Sequence, residues 1–155
     1  MMDKDRIESA IISQSKDVER IVVGVVNKFC SELDKLHAVM KEKILEKSYT
    51  VEELEHWALV LPIFSYEIGE RQEIVGIRED MAKMVKEEVY NRIFLDAGGS
   101  VQAKKSEAEI QTTMEQLYHT AYARAYRIIR QKNEATLEII NSIKKILSRQ
   151  LEEKK

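Results

Sequence analysis

Apolar side chains recur at steps of three, four and seven along nearly the whole chain, and almost nothing interrupts them. In the first segment, about residues 4 to 46, the set is Ile7, Ile11, Val18, Val22, Val25, Phe29, Leu36, Met40 and Ile44. That is the period of an α-helix with one apolar face. One proline and five glycines in 155 residues leave few places for such a pattern to stop. The pattern predicts an all-α protein of long helices, with no stretch that requires a strand. Unbroken, the first helix would run roughly 60 Å at about 1.5 Å per residue, longer than a small domain is wide. It either bends near Gly24 or packs against other chains.

Two local signals divide the rest. In SYTVEEL, Thr50 followed by Glu53 is a capping box, in which the hydroxyl and the carboxylate each satisfy a free backbone N–H at a helix start. Leu54, Trp57, Ala58, Leu61, Phe64 and Ile68 continue the stripe through Pro62, where the missing N–H and the ring predict a kink or a division. The pattern resumes through Ile74, Ile77, Met81, Met84 and Val85 to Leu95. DAGGS, residues 96–100, ends that helix on paired glycines, and Ser100 can cap the next. A long last helix follows, with Val101, Ala108, Met114, Leu117, Ala121, Ala125, Ile128, Ala135, Ile139, Ile143, Ile146 and Leu147 on its apolar side and a frayed EKK end. The expected organisation is one elongated helical domain over residues 1–155. Its parts are a helix over 4–46, a segment over 51–95 kinked at Pro62 and a helix over 100–152, assembling as a helical-bundle oligomer.

Composition narrows the function classes. Apolar residues make up 44% and charged residues 34%, a balance that folds rather than remaining disordered. Cys30 is the only cysteine, which excludes an intramolecular disulfide and suits a reducing compartment. No apolar run approaches the roughly 18 residues of a membrane span, and the polar opening MMDKDRIESA does not fit a secretory signal. The expectation is a cytoplasmic protein with no membrane partner. The net charge of −2 conceals an asymmetry: residues 1–50 hold nine basic and nine acidic side chains, residues 51–100 five and eleven, and residues 101–155 eleven and seven. The basic last third either contacts an acidic polymer or pairs with the acidic middle third in the fold or an oligomer.

Catalytic and metal chemistry find little to use. His37, His56 and His119 are scattered, and only His56 stands in a suggestive setting, with Glu53 three residues before it. A helical di-iron bundle needs two such Glu-x-x-His steps and two further glutamates, and the chain has one step. Gly98 and Gly99 lack the lysine and hydroxyl of a phosphate-binding loop. The reading is a protein that is not an enzyme and uses no cofactor or metal.

The stretch YHTAYARAYRIIRQK, residues 118–132, sets tyrosines four apart among arginines three apart. On a helical wheel of about 100° per residue with Tyr118 at zero, Leu117, Ala121, Ala125, Ile128 and Ile129 fall between roughly 260° and 20°. Tyr122 and Tyr126 lie near about 40° and 80°, and Arg124, Arg127 and Arg130 between roughly 120° and 240°. The tyrosines edge the core and the arginines face away, an arrangement that disfavours a base-stacking platform and leaves phosphate contact open to the arginines. Lys132, Lys144, Lys145 and Arg149 extend the basic character. Lys104 and Lys105 form a second cationic spot at a helix N-terminus, where they do not complement the helix dipole.

From about residue 86, KEEVYNRIFLDAGGSVQAKKSEAEI and then YHTAYARAYRIIRQKNEATLEIINSIKKILSRQLEE resemble the phage recombination mediators of the UvsY type. The shared features are a basic, tyrosine-bearing helix end, a glycine-rich break, a Lys-Ser-Glu-Ala helix start and a long amphipathic helix ending in Ser-Ile-Lys-Lys. The resemblance covers about 65 residues and leaves the N-terminal 45 or so unmatched. It implies a small helical protein that forms rings, binds single-stranded DNA and helps load a RecA-like recombinase onto DNA covered by single-strand-binding protein. It places DNA contacts on Lys83, Lys86 and Arg92 before the break and on Lys104 and Lys105 after it, beside Arg124, Arg127, Arg130, Lys144 and Lys145 from the charge pattern. Glu87 and Glu88 would offset phosphate contact nearby. The rival expectation is a phage helical interaction module, an inhibitor or assembly factor whose acidic surface from Glu52 to Glu88 docks on a host or phage protein.

Overall fold

A computed structural model describes residues 3–154, and among them the chain is all-α, with four helices and no strand. Helix α1 spans Lys4–Leu45, α2 Val51–Asp96, α3 Val101–Gln111 and α4 Thr113–Glu153. The expected first and second helices stand within a residue of these bounds. α1 is unbroken through Gly24, and α2 is not divided at Pro62. Proline removes one N–H from a helix ladder, which a helix of 46 residues survives.

The expected single helix over 100–152 is instead two, separated at Thr112. The cause is local. Thr112 Oγ1 donates to Ala108 O at 2.8 Å and Thr113 Oγ1 to Ile110 O at 2.7 Å. Hydroxyls of adjacent β-branched residues thus compete for carbonyls that the helix ladder would use. The other boundaries follow the caps. Glu53 N donates to Thr50 Oγ1 at 3.2 Å, and Thr50 N donates to Glu53 Oε2 at 3.0 Å, completing the capping box. At the end of α1, Ser48 N reaches Lys43 O and Lys47 N reaches Ile44 O, with Lys47 at φ 54°. This is a left-handed helix stop built on lysine in the place glycine usually takes. Gly99 at φ 94° supplies the turn before α3, and Ser100 caps that helix by accepting from Ala103 N at 3.2 Å. Of the terminal EKK, Glu153 closes α4 and Lys155 lies outside the described residues.

The residues gather into two compact units. One takes α1 up to Val25 together with Ile74–Tyr126; the other takes Val26–Glu73 and α4 from Arg127 onward. In the second unit three helical segments meet pairwise. Arg71 donates to Phe29 O at 2.6 Å, Ser65 to Asn133 Oδ1 at 2.6 Å, and Lys132 Nζ to Asp34 Oδ1 at 2.5 Å. Around these polar ties lie the buried side chains Cys30, Leu33, Leu61, Ile68, Ile129 and Thr136. Burial of such apolar groups is the main stabilising contribution. In the first unit the buried set is smaller and shorter in side chain: Val22, Val75, Ala108, Ala121 and Ala125. Gly76 lets α2 approach the Tyr126 ring there, since a Cβ at that position would stand 3.2 Å from Tyr126 Cε2.

The α2 stripe from Ile74 to Val85 is helical as its spacing predicts, yet Ile74, Ile77, Met81, Met84 and Val85 are all exposed. No described helix is long and apolar enough to cross a membrane.

Candidate functional site

The basic side chains divide into those the fold engages and those it leaves open. Before the glycine turn, Lys86 is half-buried and donates to Gln116 Oε1 at 3.0 Å. It stands in a cleft of about 520 Å³ that Glu87 and Glu109 also line. Arg92 is exposed but pairs with Glu88 at 2.7 Å. After the turn, Lys104 is half-buried with its ammonium 5.9 Å from the centre of the Phe94 ring, a cation–π distance. That contact gives Lys104 a local reason that its place at a helix N-terminus lacks. Arg130 pairs with Glu134 at 2.8 Å on the surface of α4.

Lys83, Lys105, Arg124, Arg127, Lys144 and Lys145 are exposed, and among the described residues they make no ion pair. Four of these six lie on α4, whose burial follows the wheel reading. Ala121, Ala125 and Ile129 are fully buried, Tyr122 and Tyr126 half-buried, and Arg124 and Arg127 exposed. The structure thus separates tyrosines from arginines: Tyr126 packs on Gly76, while Tyr118 and Tyr122 line an apolar groove. Lys83, Lys86, Arg92, Lys104, Lys105 and Arg124 belong to the first unit, and Arg127, Arg130, Lys144 and Lys145 to the second. Lys132, which the sequence counted with the basic run, is drawn inward to Asp34 instead.

The titratable groups that the fold perturbs lie elsewhere. Burial pushes the Cys30 thiol up, with Asp34 acting in the same direction and Lys132 and Arg71 against it, so the thiol stays protonated and unreactive. Burial pulls His37 down, with Asp34 opposing and Lys132 assisting. Its ring Nε2 lies 3.5 Å from the Thr136 hydroxyl. Glu53 is lowered by its hydrogen bond from Lys43 and by the backbone N–H of Thr50. Both oxygens of the one Glu-x-x-His step thereby serve the capping box and the Lys43 pair. No group of three or more His, Cys, Asp or Glu capable of holding a metal occurs among the described residues.

Two features were not legible in the sequence. One is the groove of about 430 Å³ lined by Arg78, Met81, Ala82, Val85, Met114, Glu115, Tyr118 and Tyr122. The other is Glu115 itself, whose Oε2 is buried without a hydrogen-bond partner. Spacing by four links Met81 to Val85 and Met114 to Tyr118 and Tyr122, but spacing alone does not distinguish a covered stripe from an open one. No protein-family model, curated protein or solved structure matches the chain.

Proposed function

We propose that the chain is a non-enzymatic, self-associating helical protein that binds single-stranded DNA. In this reading it is a recombination mediator that helps load a RecA-like recombinase onto DNA held by single-strand-binding protein, in the cytoplasm of a phage-infected or lysogenic bacterium. The observation that carries this is the exposed, unpaired set Arg124, Arg127, Lys144 and Lys145 along α4, outside its line of buried alanines and isoleucines. Cations that the fold does not neutralise are free to displace counterions from a phosphate backbone, which requires neither aromatic stacking nor base recognition. One subunit supplies few such contacts. Repetition of these cations in an oligomer, a ring included, raises avidity without new chemistry.

The test is fluorescence anisotropy of a labelled single-stranded oligonucleotide titrated with protein at low and moderate salt. Binding is expected to weaken linearly on a log–log salt plot. The quadruple charge reversal R124E/R127E/K144E/K145E is expected to lose at least about tenfold in affinity, with Lys83 and Lys105 supplying the remainder. Absence of binding at low salt by an oligomeric sample overturns the reading.

The exposed α2 stripe from Ile74 to Val85 favours a second reading, an interaction module that docks on one host or phage protein. Contiguous exposed apolar side chains mark interaction surfaces, and this reading expects a defined complex with no salt-dependent DNA binding.

A further inference from the structure

The start of α1 is helical from Lys4, yet every residue from Asp3 to Lys16 is exposed. These three turns continue a helix of 42 residues, but no side of them packs, and most helical stability in proteins comes from packing an amphipathic face. This segment has such a side to bury. With Ile7 at zero on a wheel of about 100° per residue, Ala10, Ile11, Lys4 and Gln14 fall within an arc of roughly 120°. Ile7 is 44% exposed and Ile11 59%. The same face becomes half-buried at Val18 and buried at Val22, so an apolar stripe that the fold covers further along is left bare at its beginning.

The same compact unit holds an open groove of complementary character. Met81 and Val85 of α2 face Met114, Tyr118 and Tyr122 of α4 across it. Glu115 also lines it and holds a buried oxygen without a donor, and Arg78 completes the lining. A buried carboxylate oxygen without a partner is costly. Methionine-rich grooves accept an amphipathic helix readily, because unbranched thioether side chains adapt to its shape. The α1 face supplies both missing parts: isoleucines for the groove, and the Lys4 ammonium or Gln14 amide as donor to Glu115.

We propose that this groove receives the first three turns of α1 from a second copy of the chain, each copy giving its α1 start and taking its partner's. Such an exchange is isologous and closes as a two-fold dimer. It rests on the self-association in the reading above and is independent of its nucleic-acid part.

The experiment mixes singly substituted full-length chains, Ile11→Cys with Met114→Cys or Val85→Cys, under mild oxidation. Cross-linked product is resolved on a non-reducing gel, and mass is measured by light scattering at the same concentration. Cys30 is fully buried, so the unsubstituted chain is the control for background. A disulfide requires Cα atoms within about 7 Å; the expected result is a covalent dimer in a mixture and little in either chain oxidised alone. Adding Ile7→Asp to the Ile11→Cys chain is expected to abolish the product and halve the scattering mass, with helicity elsewhere retained. Cross-linking of Ile11→Cys with itself overturns the proposal by showing that α1 covers α1. A dimeric mass without product in either mixture overturns it and leaves self-association standing through another face. A monomeric mass overturns both, while oligonucleotide binding, measured separately, remains free to succeed or fail.

Discussion

At Gly76 a Cβ would come 3.2 Å from Tyr126 Cε2, whereas at Gly24 and Gly69 it would meet nothing within 4 Å. All three lie inside helices, where glycine costs roughly 0.5–1 kcal/mol relative to alanine. Gly24→Ala and Gly69→Ala are therefore expected to stabilise by about that amount in urea unfolding. Gly76→Ala is expected to gain less or to lose, because the tyrosine ring must move by a few tenths of an ångström. Sequence alone identifies all three as helical glycines and does not distinguish them, since the resting place of Tyr126 depends on how two distant segments pack. Lys47 offers the opposite case. At φ 54° its Cβ is strained in a position that glycine occupies freely, so Lys47→Gly is expected to add about 0.5–1 kcal/mol. Nothing in the local sequence EKSYT signals that the stop would be built without glycine.

At the scale of elements, periodicity, caps and the glycine pair were enough to place α1 and α2, because those signals act within a few residues. The break between α3 and α4 was missed although its signal was present, as Thr112-Thr113 in a row of good helix formers. Adjacent threonines read as tolerable helix residues until both hydroxyls are seen to bond back to carbonyls. The pairing of elements was not legible. Asp34 and His37 stand far in sequence from Lys132 and Thr136, and the two pairs meet where α1 and α4 pack. This meeting sets a pH dependence. Burial lowers His37 from its ordinary value of 6.5, so the unfolded chain binds the proton more readily than the folded one. The resulting stability is fully present above about pH 6.5 and is lost as pH falls through the folded value. His37→Gln is expected to flatten the urea-midpoint profile between neutral pH and the onset of carboxylate protonation. A profile unchanged by the substitution would show that the ring stays hydrated. Lys132→Met leaves Asp34 partly buried and unpaired, and is expected to cost about 1–2 kcal/mol once solvent screening is allowed for.

For the whole molecule, the charge asymmetry read along the chain dissolves in the fold. The first unit holds eleven basic and thirteen acidic residues and the second fourteen of each, because acidic α2 and basic α4 both contribute to each unit. Net charge therefore draws neither unit to a polyanion, so the proposed DNA binding rests on the exposed, unpaired cations along α4. Few contacts per subunit imply weak binding by one copy and strong dependence on multiplicity. A comparison of oligonucleotide lengths follows from this. An oligonucleotide of about 8 nucleotides, engaging one copy, is expected to bind weakly, with a log–log salt slope near −0.7 per phosphate contacted. One of about 40 nucleotides, long enough to engage both copies of the proposed dimer, is expected to bind at least tenfold more tightly per site. Ile7→Asn/Ile11→Asn, which removes the apolar face of the proposed exchange of α1 starts without changing the charge, is expected to erase most of the gain on the long strand and leave the short one unchanged. Asparagine changes no charge and both positions lie outside the basic run, so the effect is separable from a lost phosphate contact. Equal losses on both strands would place α1 at the DNA itself, and no loss on either would separate DNA binding from assembly.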